Sequence, residues 1–492
     1  MKKLEKGKKL LHQGKEQEIP KPKEIKKKKN QDIIKIAYVF VGLFVLLIGN
    51  FVYFMMADSS EVINNTYNTR QDLLAERIIR GNIYGNDYEV LAETVTNKDG
   101  TESRRYPYDS LFVHIVGQFS QGKTGIELSE NFPLLTSNTN AFSQFLEDIA
   151  GDKIAGDNVV TTLDVSLQQI AADALGDRKG AVVVLEPDTG KILAMVSKPD
   201  YNPNTVSEKW EELKEDVQNE SALMNRAAQG LYPPGSTFKL VTALEYMREY
   251  GDYSKYEYNC EGLDDFSGIK IRCYNEKHHG MVDLKLSLAK SCNTSFANIG
   301  SKLDLKSFRN TCNSLLFNTK LPTSIVTNRS HFVLDEHSDE EEVPQTAIGQ
   351  GKTQITPLHN AMIVAAIANG GNLMRPYVVD RVETSKKKIV KKNVPSIYGA
   401  LMTAEEAQVL TEYMQAVVEE GTAAELKNSK YTAAGKTGSA EYNSSKSSHA
   451  WFVGFAPAED PKIVVSVIVE GAGTGSQYAV PIAKQLFEQY LT

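Results

Sequence analysis

Tyr232-Pro233-Pro234-Gly235-Ser236-Thr237-Phe238-Lys239-Leu240 is the stretch from which the rest of the chain can be read. Pro233, Pro234 and Gly235 make a turn, and the spacing predicts a helix opening at Ser236. One helical turn brings residues i and i+3 together, so Lys239 falls on the same face as the Ser236 hydroxyl. A serine hydroxyl is a poor nucleophile at neutral pH. It needs a base within hydrogen-bond reach and donors for the oxyanion formed on attack. A buried lysine beside a second cation loses its proton and can be that base. Downstream lie Ser291-Cys292-Asn293 and Lys436-Thr437-Gly438, and Lys436 can supply the second cation. Taken alone, Ser-x-x-Lys reads as a solvated helix start and Lys-Thr-Gly as chance. All three in this order point to a nucleophilic serine site.

The order Ser-x-x-Lys, Ser-x-Asn, Lys-Thr-Gly is the signature of penicillin-binding proteins and serine β-lactamases. From the apolar N-terminal segment to Thr492, the chain resembles the class B penicillin-binding proteins, the monofunctional peptidoglycan D,D-transpeptidases. The likeness extends to Ile348-Gly349-Gln350-Gly351, Thr356-Pro357-Leu358, Asn369-Gly370-Gly371 and His449-Ala450-Trp451-Phe452. Nearer the N-terminus it includes Arg80-Gly81-Asn82-Ile83-Tyr84, Val90-Leu91-Ala92, His114-Ile115-Val116-Gly117 and Gly125-Ile126-Glu127. Singly, these last four read as turns and strand ends.

The resemblance implies that Ser236 attacks the penultimate D-Ala carbonyl of a stem peptide, expels the terminal D-Ala and passes the acyl group to an amine on a neighbouring strand. Lys239 is then the general base, Ser291 hands the proton to the leaving amine, Asn293 holds the substrate amide and Lys436 is the neighbouring cation. A substrate backbone lies along the Lys-Thr-Gly strand as an added strand. Gly438 leaves it room, and the Thr437 and Ser439 hydroxyls face its terminal carboxylate. The N–H groups of Ser236 and Ser439 form the oxyanion hole. β-Lactams acylate the same serine. Ser439 stands where threonine is more usual, which keeps the hydroxyl.

A chain of 492 residues exceeds what one core holds, so several folded parts are expected. Ile36 to Ala57 runs without a charge, enough for one membrane-spanning helix. It is long for a signal peptide, and Met55-Met56-Ala57 lacks the small-residue cleavage pattern, so it reads as an uncleaved anchor. Residues 1–35 carry thirteen lysines against five acids, +8, which leaves −15 on the rest of a chain of net charge −7. The positive-inside rule puts this tail in the cytoplasm and everything after Asp58 outside, and the family resemblance implies that the membrane is a bacterial cell membrane. The tail reads as disordered, and topology rather than nucleic-acid binding accounts for its lysines.

Residues 58–157, polar and mixed, read as a small strand-containing stem, too short for the glycosyltransferase domain of class A enzymes and small for a class B pedestal. Residues 158–492 read as the transpeptidase domain. There Ala181–Leu185, the turn Pro187-Asp188-Thr189-Gly190 and Ile192–Val196 predict a hairpin. Trp451–Phe455 and Ile463–Val469 predict two more strands, and Ala479–Leu491 a closing helix. Leu284–Ala289, Met362–Ala368 and Ala404–Val418 are helix-like. Strands from both ends with helices between them give an α+β fold: an antiparallel sheet flanked by helices, an all-helical lobe, and Ser236 at their junction.

Catalysis by these residues needs no cofactor. Cys260 and Cys273 are followed by His278 and His279, with Asp264 and Asp265 between, which leaves three states open: a structural zinc on Cys260, Cys273, His279 and Asp265, a disulfide, or free thiols. Cys292 and Cys312 read as small buried hydrophobes. The rival functions are a serine β-lactamase or D,D-carboxypeptidase, which need a positioned base for water that the sequence does not display, and a non-catalytic scaffold or sensor, against which all of Ser236, Lys239, Ser291 and Lys436 are present. Family resemblance implies three partners: peptidoglycan stem peptides, β-lactams, and a polytopic glycosyltransferase of the shape, elongation, division and sporulation (SEDS) family, met through the membrane helix and stem. Whether the protein serves elongation, division or sporulation is not encoded in these motifs.

Overall fold

The computed structural model describes residues 22–57, 76–140, 149, 153–216, 221–427, 429–441 and 448–492, in two compact units with the division at Asn65/Thr66. The first unit contains the helix Pro22–Ala57, of which Gln31–Phe54 is long and apolar enough to cross a membrane. The helix begins well before the apolar run, so the expectation of a disordered tail up to residue 35 is corrected for residues 22–35. Lysine is a good helix former and Pro22 suits a first turn, so the helix extends N-terminally past its apolar stretch. Residues 1–21 and 58–75 lie outside the described residues.

In the second unit, the segments expected as strands form one antiparallel sheet in the order Ala434–Ala440, His449–Ala456, Ile463–Val469, Gly180–Leu185, Ile192–Lys198. Every residue of the three central strands is buried. Such strands must be covered on both faces, which explains their almost continuous apolar composition, rich in valine in Gly180–Leu185 and Ile463–Val469. Val165–Leu175 and Val480–Leu491 pack together against the sheet, and Pro357–Ala368 packs against its three central strands. Pro357 sits in the first turn of that helix, and Thr356 caps it by accepting from His359 N–H. Helices Lys239–Glu249, Leu284–Ala289, Asn293–Gly300, Leu305–Ser314, Glu342–Ala347 and Ala404–Glu419 build the helical lobe.

A second, six-stranded sheet runs Ile389–Lys392, Val379–Glu383, Asn158–Thr161, Ile83–Tyr84, Val90–Thr96, Glu102–Arg105. The boundary expected between residues 157 and 158 therefore falls inside a continuous sheet, because Asn158–Thr161 pairs with Ile83–Tyr84 on one side and Val379–Glu383 on the other. Two of the motifs read as turns meet in this region. Glu127, fully buried, accepts from Arg80 Nε at 2.8 Å and from Arg104 Nε at 2.6 Å. A buried carboxylate needs such partners, and removing one leaves a charge stranded.

Candidate active site

Ser236 lies in a 3-10 turn, Gly235–Phe238, and the α-helix proper starts at Lys239. The expected helix start is thus shifted by three residues. Gly235 has φ +53° and donates its N–H to Gly349 O at 2.9 Å, which fixes the entry of the chain into the turn. Ser236 is partly buried, whereas Lys239 is fully buried behind it.

The Lys239 ammonium has partners that the sequence alone did not suggest. Its bonds go to Ser291 O at 2.8 Å, Asn293 Oδ1 at 2.7 Å and Ser291 Oγ at 3.3 Å. Lys436 Nζ, also fully buried, donates to the same Ser291 Oγ at 2.9 Å and to Thr437 O at 2.9 Å. One hydroxyl thus receives bonds from both lysines. Its own proton is left to be donated elsewhere, which is the arrangement a proton relay needs. Ser291 adopts φ +54°, a conformation that costs energy for a residue with a side chain and that aims this hydroxyl into the cleft.

Burial drives the Lys239 amine down to about 8, with the Cys292 and Cys273 thiols acting the other way. Lys436 lies well below its ordinary value, first through burial and then through repulsion from Lys239. The repulsion is mutual, so the pair gives up its first proton far more readily than two separate lysines do.

Asn293 is held at both ends, since its Nδ2 donates to Arg272 O at 2.7 Å while Oδ1 serves Lys239. The Lys-Thr-Gly strand is the outer edge of the main sheet, open to an added strand on its cleft side. Gly438 also serves the packing of the site. A Cβ there would sit 3.0 Å from Trp451 Cβ and 3.2 Å from Thr237 Cγ2, so its missing side chain lets the serine turn dock on the strand. Thr437, expected to offer its hydroxyl to a substrate, is buried and bonded to the Thr422 hydroxyl. Ser439 is partly buried at the cleft edge. Sequence reasoning missed Thr422, which no motif marks.

The cysteines form a second cluster directly behind this site. Strands Tyr258–Cys260 and Gly280–Val282 pair, and the hairpin Leu263–Phe266 with Ile269–Arg272 projects beyond them. This fold brings together Cys260, Cys273, His279 and Cys292, whose ligand atoms all lie within 4.8 Å of one another. Cys260 Sγ and Cys292 Sγ each stand 3.7 Å from Cys273 Sγ, and His279 Nδ1 is 3.4 Å from Cys260 Sγ. None of the four cysteines is in a disulfide. Two expectations are corrected here. Asp265 is not in the cluster: it is exposed on the hairpin, where its Oδ1 accepts from Gly268 N–H at 2.8 Å. Cys292, expected to be a plain buried hydrophobe, takes the fourth place. The available signal was a third cysteine, Cys292, as far beyond His279 as Cys260 stands before Cys273.

The donor set suits zinc. Tetrahedral zinc with bonds of about 2.3 Å to sulfur separates its ligand atoms by roughly 3.8 Å, close to the gaps seen. The Cys273 thiol is lowered, chiefly by the hydrogen bond from Cys292, and bonds to Cys273 and Cys260 raise His279 against burial. Three sulfurs and one imidazole around a small buried gap are the ligands of closed structural sites.

The transpeptidase domain model of penicillin binding proteins matches residues 180–488, and the model of the penicillin binding protein A dimerisation domain matches residues 80–159. The peptidoglycan D,D-transpeptidase PbpA of Mycolicibacterium smegmatis is 30% identical over 488 residues, covering 92% of this chain and 98% of that protein. The peptidoglycan D,D-transpeptidase MrdA of Acinetobacter baumannii is 29% identical, over 79% of this chain and 66% of that protein. Among solved structures, the ceftriaxone acyl-enzyme of penicillin-binding protein A from M. tuberculosis superposes with a TM-score of 0.78 at 30% identity, covering 85% of this chain and all of that one. With the serine turn, the lysine pair and the Lys-Thr-Gly edge strand assembled in one cleft, this chain belongs to the penicillin-binding protein transpeptidases.

Proposed function

We propose that the protein is a membrane-anchored peptidoglycan D,D-transpeptidase, working through an acyl-enzyme on Ser236 and inhibited by β-lactams. The observation that carries this reading is the Ser291 hydroxyl shared by the fully buried Lys239 and Lys436, with Ser236 three residues before Lys239 in the same turn. Ser236 Oγ loses its proton to the neutral amine of Lys239 and bonds to the penultimate D-Ala carbonyl carbon. The oxyanion is met by the N–H groups of Ser236 and Ser439. Ser291 gives a proton to the departing D-Ala nitrogen and recovers one from the lysine pair. An acceptor amine then enters, loses its proton by the same route reversed, and takes the acyl group from Ser236. Asn293 and Ser439 position the substrate. Intact-mass spectrometry of the full-length, detergent-solubilised protein tests this: a single persistent adduct on Ser236 after penicillin is expected. An adduct that vanishes within minutes would indicate a hydrolase, and labelling that survives Ser236→Ala would overturn the assignment.

A structural zinc held by Cys260, Cys273, His279 and Cys292 is the second part of the proposal. Zinc at such a site braces folded structure and supplies no catalytic step. These ligands would tie the 258–282 hairpins to the segment between Ser291 and Asn293. Elemental analysis should find one zinc per chain, and its absence from protein purified without chelator would end this part.

For topology, the lysine-rich N-terminus is placed in the cytoplasm and the second unit outside, which reporter fusions at either end of the helix would test. The SEDS-family glycosyltransferase partner rests on family resemblance. Copurification that survives replacement of the apolar helix would refute the proposed contact through it.

A further inference from the structure

Residues of an edge strand turn their N–H and C=O groups alternately toward the neighbouring strand and away from it. On Ala434–Ala440 the carbonyls of Thr437 and Ser439 are among those that face away, each taking a side-chain donor instead of a strand partner. Ser439 O lies 3.0 Å from where a Cβ on Gly235 would stand, beside the serine turn. Thr437 O, two residues back, takes the cleft amine of Lys436. Each of these carbonyls already has a donor, and for Ser439 O it is Gln350 Nε2 at 3.4 Å.

Gln350 reaches across from the opposite lobe. It follows the helix Glu342–Ala347 and stands between two left-handed glycines, Gly349 at φ +81° and Gly351 at φ +78°. Gly349 O accepts the Gly235 N–H, and a Cβ on Gly349 would fall 1.9 Å from Gly235 O. The backbone that carries Gln350 is therefore stitched to the residue before Ser236 and cannot withdraw without disturbing the nucleophile. Its side chain can swing, because the long bond to Ser439 O is a weak one.

A substrate laid along this edge needs the same carbonyl for its own amide N–H. We propose that Gln350 is a specificity-determining residue of the transpeptidase reaction: it covers the Ser439 carbonyl in the free enzyme and yields it to ligands that bring a peptide-like N–H. The inference rests on reading the cleft as an acyl-transfer site with an added-strand substrate. A ligand with no such N–H has nothing to put in place of the carboxamide and no use for the freed carbonyl.

Penicillin G carries an acylamino N–H beside its β-lactam ring, whereas imipenem does not. Acylation of Ser236 in the full-length protein is measured with both compounds for wild type, Gln350→Ala and Gln350→Met, the last keeping the side-chain volume. Removing the competing donor should raise the ratio of the penicillin G to the imipenem second-order constant about twofold, the low end of the worth of one neutral hydrogen bond. Both variants should show it, with unfolding midpoints near wild type for Gln350→Met. A ratio that stays constant or falls in both variants overturns the role of Gln350. Failure of wild-type Ser236 to be acylated by either compound would instead overturn the reading of the cleft itself.

Discussion

Replacing Lys239 by alanine removes the base, one of the two donors to Ser291 Oγ and the nearest cation to Lys436 in a single step. The size of the effect follows from the site. With the amine at about 8, roughly one Lys239 in ten is neutral at pH 7 and half at pH 8. Wild-type acylation by a fluorescent penicillin should therefore rise about fivefold from pH 7 to pH 8 and level off above about pH 9. The groups facing this amine are Lys436, Cys292 and Cys273. Burial lowers it and the thiols raise it, while Lys239 in turn lowers Lys436, so the midpoint reports the coupled lysine pair and not Lys239 alone. In Lys239→Ala the second-order constant at pH 8 should fall by about 10²–10⁴, the usual worth of a positioned base. The rise centred near pH 8 should vanish with it. Stopped-flow acylation across pH 6–10 gives both readouts. Acylation at the wild-type rate, or an unchanged pH profile in the variant, would remove Lys239 from the role and shift it to Lys436.

The same depressed lysine makes folding pH-dependent. The unfolded chain holds the Lys239 proton up to its ordinary, higher value, so this burial weakens the fold below about pH 8 and the penalty is relieved as pH rises beyond it, which urea midpoints at pH 7 and 9.5 would reveal in wild type and to a smaller extent in Lys239→Met, where buried Lys436 still contributes. Glu127→Leu should cost about 3–5 kcal/mol in unfolding free energy by stranding Arg80 and Arg104, and a smaller loss by denaturant titration would mean the stem repacks. Gly438→Ala places a methyl against Trp451 and Thr237, so acylation should drop at least tenfold while stability falls by only about 1–3 kcal/mol; unchanged kinetics would show that the serine turn tolerates the shift. Cys292→Ser should abolish zinc content and lower the thermal midpoint, whereas Cys312→Ser, in the core away from the cluster, should leave zinc in place.

The elements legible from the sequence were those whose cause is local. The valine-rich runs of residues 181–185 and 463–469 can only be buried strands, and the uncharged run from Ile36 to Ala57 can only be a long apolar helix. The three motifs likewise identified the reacting groups, because the chemistry restricts which residue types can serve. Three-dimensional packing decided the rest. That Lys239 bonds to Ser291 and Asn293, that Gly438 makes room for Thr237, and that Cys292 rather than Asp265 completes the cluster all depend on contacts between residues far apart in the chain. Helical and strand periodicity tells which face a side chain occupies, but carries no information on what another element brings to that face; only the closed fold supplies the partner, and here the partners set the proton positions on which catalysis turns.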